Sequence, residues 1–197
     1  TQVKIYANIQ MQLGVCSGYG VEKKEAENSL RVTSKWAERA KKEWLSAREN
    51  GYKGILFPIV QGNFFEDLRK TSAEFVSSLD LPGIAIGGLS VGEPSEVFAE
   101  YLSLTKNYLP KDKPVYVMGI GAPEYIFEAV HNGVDMFDCG LPTRNARNGS
   151  YFTHDGPLSI KQERFKNDFS PIDCECRCKV CKTYSRAYLR HLFKEQE

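Results

Sequence analysis

The chain has 197 residues, and its content of 42% hydrophobic and 26% charged residues is ordinary for a globular domain. The formal net charge is only +1, so the chain lacks the overall positive charge that is typical of nucleic-acid-binding domains. Any RNA-binding site must therefore be a local basic patch. No apolar run approaches the roughly 20 residues that span a bilayer and no signal peptide is visible, so we expect no membrane association.

The six cysteines are unevenly placed, because four of them fall within the eight residues 174–181. This crowding favours metal binding in a reducing compartment over a secreted disulfide framework, and we expect a cytoplasmic location. The chain opens without a starting methionine, from which we expect a fragment or a cleaved product.

The pattern of apolar residues becomes clear after residue 19. Leu30, Trp36 and Trp44 recur at helical spacing among charged residues, which predicts an amphipathic helix over residues 25–50, with Gly51 at its end. Short apolar runs then alternate with helical patterns. Strands are predicted over residues 54–62, 82–89, 113–121 and 134–137, and helices over 65–79, 94–108 and 123–131. This alternation indicates βαβ crossovers and a parallel sheet.

The predicted strand ends decide between an open sheet and a barrel. An open nucleotide-binding sheet would need a glycine-rich phosphate loop, and Gly119-Ile120-Gly121 is too short a match. Polar and glycine residues at every strand end suit the common mouth of a (β/α)8 TIM barrel. A complete barrel needs about 250 residues, so we predict its second half only. We place that partial barrel and its mouth at residues 1–160, and a zinc-binding, basic helical tail at residues 161–197.

Asp138 directly follows the fourth predicted strand. Taken alone, such a residue commonly caps a turn. The following residues are polar or cationic, including Thr143, Arg144 and Arg147, and Pro142 and Gly149 bracket them, which predicts a loop and not a helix. A carboxylate followed by guanidinium groups suits an extended anionic substrate.

The segment FDCGLPTRNARNG closely resembles the active-site segment of bacterial-type tRNA-guanine transglycosylases. IVQG, AIGGLSVGE and YVMGIG resemble the same family in the same order, and the resemblance covers residues 28–192. It implies that Asp138 is the catalytic nucleophile. It also implies that the exchanged base is bound by Gln61, Gly87, Gly88, Leu89 and Met118. The implied contacts to tRNA are Gly119, Ile120, Gly121, Ala122, Pro123, Glu124, Tyr125, Thr143, Arg144, Asn145, Ala146 and Arg147.

The resemblance implies a pentosyltransferase of queuosine biosynthesis, which exchanges guanine-34 of a tRNA anticodon for a 7-deazaguanine base through a covalent aspartyl-ribose intermediate. Val91 resembles the form that inserts the aminomethyl base preQ1, and the family forms homodimers. A second catalytic Asp of the family belongs to the absent first half of the barrel. A base-reading Asp of the family precedes the Cys that Cys16 matches. Here the sequence reads Gly14-Val15-Cys16, so either that carboxylate is absent or the alignment slips. Activity of this chain by itself is therefore not predicted.

Two other functions remain open from the sequence. One is a non-catalytic tRNA-binding subunit or fragment, and another is a related transglycosylase that acts on DNA. A phosphosugar-type barrel enzyme is disfavoured, because no phosphate-cradling glycine loop stands out.

The cysteine cluster contains a C-x-C-x2-C motif, which is too tight for ordinary disulfides but can gather thiolates around one Zn²⁺. The family resemblance assigns Cys176, Cys178 and Cys181 as zinc ligands, together with a histidine far downstream. The fourth ligand stays open between Cys174, His191, a partner group and no ordered group. The expected role of the zinc is structural.

Overall fold

The computed structural model describes residues 2–197, which form two compact units, Thr1–Cys139 and Gly140–Glu197. Thr1, the first residue of the predicted barrel portion, lies outside the described residues. The boundary predicted after residue 160 falls within the second unit, because Ile160 is buried there with Phe165 and Ile172. The functional division at that boundary stays a prediction.

The first unit alternates strands with helices. Its elements are β1 (Ile9–Met11), α1 (Lys23–Glu49), β2 (Ile55–Phe57), β3 (Ile59–Val60), α2 (Glu66–Ser78), β4 (Ile84–Ile86), α3 (Ser95–Asn107), β5 (Val115–Val117), α4 (Pro123–His131) and β6 (Met136–Phe137). β1 pairs with β2, while β3, β4, β5 and β6 lie side by side in chain order, and every pair is parallel. The predicted α/β class and its parallel strands are confirmed, and the four predicted helices agree with the observed ones to within two residues.

The first predicted strand, residues 54–62, is divided into β2 and β3 by Pro58. Proline has no N–H to donate to a neighbouring strand, so the ladder is interrupted there. The carbonyl of Pro58 still accepts a hydrogen bond from the backbone N–H of Ala85 at 2.8 Å. As a result, β2 pairs with β1 on one side and β3 pairs with β4 on the other.

The core of the first unit consists of strands buried on both faces. Val60, Ile86 and Val117 are wholly inaccessible to solvent, and Phe98 and Leu102 of α3 are buried in the same cluster. Each such side chain contributes about 1.5–3 kcal/mol when it is removed from water. A strand that is covered on both faces must be apolar at every position. The end of each apolar run therefore marks the end of its strand.

The second unit contains α5 (Leu141–Arg147), an antiparallel hairpin of β7 (Ser150–Thr153) and β8 (Gly156–Ser159), a short 3-10 helix (Glu163–Phe165), α6 (Lys179–Thr183) and α7 (Arg186–Glu195). The hairpin was not predicted. The tail helix, α7, was expected and begins after Ser185, whose hydroxyl accepts a hydrogen bond from the N–H of Tyr188. Among the helices of residues 2–197, none combines the length and apolar composition that crossing a bilayer requires.

The prediction of a loop over residues 142–149 is wrong, because α5 occupies most of that segment. Pro142 lies in the first turn of the helix, where its missing N–H costs no hydrogen bond. Gly149 follows the final turn with φ +68°, a conformation that glycine adopts without strain. Pro142 and Gly149, which were predicted to flank a loop, are therefore residues that mark the beginning and the end of a helix.

Candidate functional site

The predicted base-binding and catalytic residues meet along one edge of the sheet. The last residues of β3, β4, β5 and β6 are register partners of one another. The residues that directly follow the four strands therefore lie side by side, at the same height along the strand direction. They are Gln61, Gly87, Met118 and Asp138. With neighbouring strands about 4.8 Å apart, Gln61 and Asp138 lie roughly 14 Å from each other along this edge. This span leaves room for a flat ring system joined to a sugar.

Asp138 is exposed, and one of its two carboxylate oxygens is fixed by the protein. The Oδ1 atom accepts a hydrogen bond from the backbone N–H of Gly119 at 2.8 Å and another from the hydroxyl of Tyr116. Burial and the hydrogen bond to Asp138 raise the pKa of Tyr116, so the phenol stays protonated and remains a donor at neutral pH. Within residues 2–197 the Oδ2 atom has no hydrogen-bond partner, so it is the oxygen available to a substrate.

Gln61, Gly87 and Gly88 form a closely packed group at the other end of the edge. The side chain of Gln61 is buried, and a Cβ added to Gly87 would lie 2.7 Å from its Nε2 atom. A Cβ on Gly88 would lie 2.5 Å from its Oε1 atom, and Gly88 has φ +68°. Only glycine at both positions therefore leaves the Gln61 amide in this position.

Replacing Gly88 by Ala should weaken base binding more than it weakens the fold. The left-handed backbone costs about 1–2 kcal/mol of stability, and the new Cβ must push the Gln61 amide away from its position. Urea unfolding and calorimetric titration with a guanine-type base measure the two effects. Gly133→Ala is the matched control, since its φ of +74° imposes the same strain without a close contact. Equal base affinity in G88A and the parent would contradict a base pocket here.

The remaining pocket positions are Met118 and Gly14. Met118 is half-buried and packs against the cluster that contains Phe57, Ile59 and Tyr116. A Cβ on Gly14 would lie 3.4 Å from the Nε2 atom of Gln61, an ordinary contact distance. Gly14 therefore lies beside Gln61, with space for a side chain, at the position where the family resemblance expects a carboxylate.

The two predicted tRNA-contacting segments fall in different units. Residues 119–125 form the loop after β5 and the first turn of α4, and Gly119, Pro123 and Glu124 are exposed in it. Residues 143–147 lie on α5 in the second unit, where Arg144 and Arg147 are exposed one turn apart. Because residues three apart share a face of a helix, these two guanidinium groups form a local basic patch.

The second unit gathers three of the four clustered cysteines. The sulfur atoms of Cys176, Cys178 and Cys181 lie within 4.8 Å of one another. A tetrahedral zinc ion with Zn–S bonds of about 2.3 Å requires sulfur atoms about 3.8 Å apart, so the group fits three corners of such a site. Within residues 2–197 neither Cys174 nor His191 belongs to the group.

Backbone hydrogen bonds hold the cysteine segment in shape. The N–H of Cys181 points to the sulfur of Cys178 at 3.5 Å, which lowers the pKa of the Cys178 thiol, while burial raises the pKa of Cys181 to about 11. The carboxylate of Asp173 accepts hydrogen bonds from the N–H groups of Glu175 and Cys176. The Nδ1 atom of the His154 imidazole also forms a hydrogen bond with the carboxylate of Asp173, and this bond lowers the pKa of Asp173 to about 2. Asp173 therefore stays ionised and supports the cysteine loop.

Four residues around these sites were missed from the sequence. Two are Tyr116 and Asp173, and the others are Arg69, whose guanidinium donates to the carbonyls of Gly87 and Gly88, and Asn63, whose carbonyl also accepts from Arg69. Tyr116 left a usable signal, because it lies two residues before Met118 and side chains alternate along a strand. Arg69 left none, because an arginine on an amphipathic helix is ordinarily solvent-exposed.

The family model described as queuine tRNA-ribosyltransferase matches residues 1–197. A queuine tRNA-ribosyltransferase of Treponema denticola is 55% identical over 196 residues, which is 100% of this chain and 52% of that protein. Proteins of the same name from Borrelia duttonii and Desulforapulum autotrophicum are 50% and 51% identical over 191 residues, or 97% of this chain and 51% of each relative.

The parallel α/β fold and these matches place the chain among α/β proteins whose relatives are named tRNA-ribosyltransferases. The chain belongs to the queuine tRNA-ribosyltransferase family. It spans about half the length of the curated relatives that it matches.

Proposed function

We propose that this chain carries the catalytic half of a tRNA-guanine transglycosylase, which exchanges guanine-34 of a tRNA anticodon for a 7-deazaguanine base, preQ1. The observation that carries the proposal is the level placement of Gln61, Gly87, Met118 and Asp138 at one sheet edge. A base between Gln61 and Met118 would present its sugar toward Asp138. The parallel strands would form part of a (β/α)8 barrel, and the complete protein would act as a homodimer.

In the proposed reaction, Asp138 is the nucleophile. Its Oδ2 atom forms a bond to C1′ of the ribose while the bond from C1′ to N9 of guanine breaks, and the electron pair leaves on the guanine, which takes up a proton. The N9 atom of the incoming base then attacks C1′, loses its proton and releases the carboxylate, as in retaining glycosidases. Tyr116 and Gly119 hold the other oxygen of Asp138, so the attacking atom is oriented before the substrate arrives. By family resemblance, the proton-transferring Asp belongs to the first half of the barrel.

The tRNA would be held by the exposed residues of 119–125 and by the arginine pair on α5. Arg144 and Arg147 are suited to two-point contacts with phosphate groups. A zinc ion held by Cys176, Cys178 and Cys181 would supply a structural crosslink in the second unit and no chemistry at the base. The loss of counterions on binding makes this tRNA contact sensitive to salt.

The test is incorporation of labelled guanine into an anticodon stem-loop. The protein is the full-length Treponema denticola relative in which the matching segment is replaced by these 197 residues. Exchange that depends on guanine-34 and is displaced by preQ1 is expected. Salt-sensitive tRNA binding without exchange or preQ1 binding would favour a non-catalytic tRNA-binding protein. A preference for duplex DNA over the stem-loop would favour the DNA-acting relative.

Gly14 is the specific observation that favours the non-catalytic alternative, because no carboxylate stands at that position to accept hydrogen bonds from the base. The position has room for one, since a Cβ there meets only ordinary contacts. Replacing Gly14 by Asp should therefore tighten binding of a guanine-type base about tenfold or more, through a charge-assisted hydrogen bond. Calorimetric titration measures the change, and Gly14→Asn, which lacks the charge, is the control. An equal gain in both variants, or none, would contradict this reading of Gly14.

A further inference from the structure

Arg69 of α2 is one of the largest fully buried side chains of the protein, with 0% of its surface exposed. Its guanidinium donates three hydrogen bonds of 2.8 Å, from Nε to the carbonyl of Asn63, from Nη1 to that of Gly87 and from Nη2 to that of Gly88. Among residues 2–197 it forms no ion pair with a carboxylate. A buried charge that no carboxylate contacts directly is costly, so its persistence points to a role beyond packing.

Burial lowers the pKa of Arg69 to about 10, so the side chain remains a cation at neutral pH. All three hydrogen bonds of this cation go to backbone carbonyl groups, and the nearby carboxylate of Glu93 also favours its charge. Two of these carbonyls belong to the glycine pair at the end of β4, which makes the orientation of that segment depend on Arg69.

The orientation of the carbonyls fixes the orientation of the neighbouring N–H groups. In a trans peptide the C=O of one residue points opposite to the N–H of the next. When the carbonyls of Gly87 and Gly88 face Arg69, the N–H groups of Gly88 and Leu89 face away from it. Neither of these N–H groups donates to another group within residues 2–197, and both residues are buried. Two adjacent buried donors thus stand free beside the amide of Gln61.

Arg69 also connects this segment with two other strand-end loops. The carbonyl of Asn63, which accepts from Arg69, belongs to the loop after β3. The side-chain amide of Asn63 donates to the carbonyls of Ser17 and Gly18 at 3.0 Å, in the loop after β1. Arg69 therefore joins the loops after β3 and β4 directly, and the side chain of Asn63 extends this connection to the loop after β1.

We propose that Arg69 is a positioning residue that holds the peptides of Gly87 and Gly88 so that the N–H groups of Gly88 and Leu89 bind the ring carbonyl oxygen of the base. This assignment rests on the proposed base exchange, because it supposes a base in that pocket. The bound group is a hydrogen-bond acceptor, so a base with an amino group in place of the carbonyl meets two donors and loses affinity. Lysine cannot replace arginine here, since it lacks the planar fork that spans separate carbonyls.

The test combines a protein change with a ligand change. Binding of preQ1 and of its analogue with an amino group in place of the ring carbonyl is measured by calorimetry in the full-length protein carrying this chain. The parent should prefer the carbonyl base, and Arg69→Lys should reduce that preference about tenfold or more, since two hydrogen bonds lose their alignment. Asn63→Gly is the matched control. It tolerates the φ of +51° and leaves the contacts of Arg69 with Gly87 and Gly88 intact, so the preference should be retained.

Equal loss of affinity for both bases in R69K, or no loss for either, would overturn the proposal and leave Arg69 a packing residue. A parent protein that binds neither base would instead overturn the proposed function. A measurement without any substitution covers the case in which R69K does not fold. The amide protons of Gly88 and Leu89 should shift and gain protection from exchange with preQ1 but not with the amino analogue, and identical behaviour with both ligands would refute the assignment.

Discussion

Replacing Asp138 by Asn is expected to abolish base exchange in the full-length protein carrying this chain, with a fall on the order of 10⁴-fold or more, because the proposed covalent nucleophile is removed. The amide oxygen of Asn can still accept the hydrogen bonds from Tyr116 and Gly119, so the fold and the pocket are preserved. What is lost is the anionic oxygen that is proposed to attack the ribose. Labelled guanine exchange measures the rate, and a denaturing gel detects the covalent complex with RNA, which should be absent.

Two comparisons make the Asp138 result specific. Affinity for preQ1 should change only slightly in D138N, because the carboxylate faces the sugar and not the base. Asp112→Asn removes the same charge from the exposed residue 112, which lies before β5 and therefore near the opposite edge of the sheet, and it should exchange normally. A D138N protein that exchanged guanine at the parental rate would remove Asp138 from the mechanism.

Replacing Cys176 by Ser should release the metal and unfold part of the second unit. Structural zinc contributes about 10–16 kcal/mol of apparent binding free energy in small zinc-binding peptides at neutral pH, and much of it is folding free energy. The small core of this unit, formed around Ile160, Phe165 and Ile172, is not expected to compensate for that loss. Metal analysis should show less than one zinc per chain, and limited proteolysis should cut within residues 140–197.

Cys174→Ser is the matched control for the zinc site, because Cys174 is exposed and lies outside the three-cysteine group. It should retain a full equivalent of zinc. Zinc loss in C174S would instead identify Cys174 as the fourth ligand, one of the alternatives that the sequence leaves open. A C176S protein with a full equivalent of zinc would contradict the proposed metal centre. In the parent protein and in C174S, a chelator should reproduce the effect of C176S only if the metal is structural.

The sheet and the level of its strand ends could be predicted because apolar runs and glycines mark where each strand stops. The structure places β3, β4, β5 and β6 side by side in chain order, which βαβ connections allow but do not by themselves require. The α5 segment was misread because Pro142 and Gly149 occur equally in loops and at helix ends, and only the backbone geometry separates the two. Arg69 could not be predicted, because its burial depends on tertiary packing that no local pattern encodes.

The proposed activity requires Gln61, Gly87, Met118 and Asp138 to lie side by side, and this placement depends on the correct register of the strands. Side chains alternate between the two faces of a sheet, so sliding β6 by a single residue along β5 would bring Cys139 to that level and turn the carboxylate aside. A chain with this shifted register could keep its helices and much of its buried surface and still lose the proposed base-exchange activity completely. Recovery of exchange after denaturation would therefore report strand alignment, which circular dichroism of the helices cannot detect.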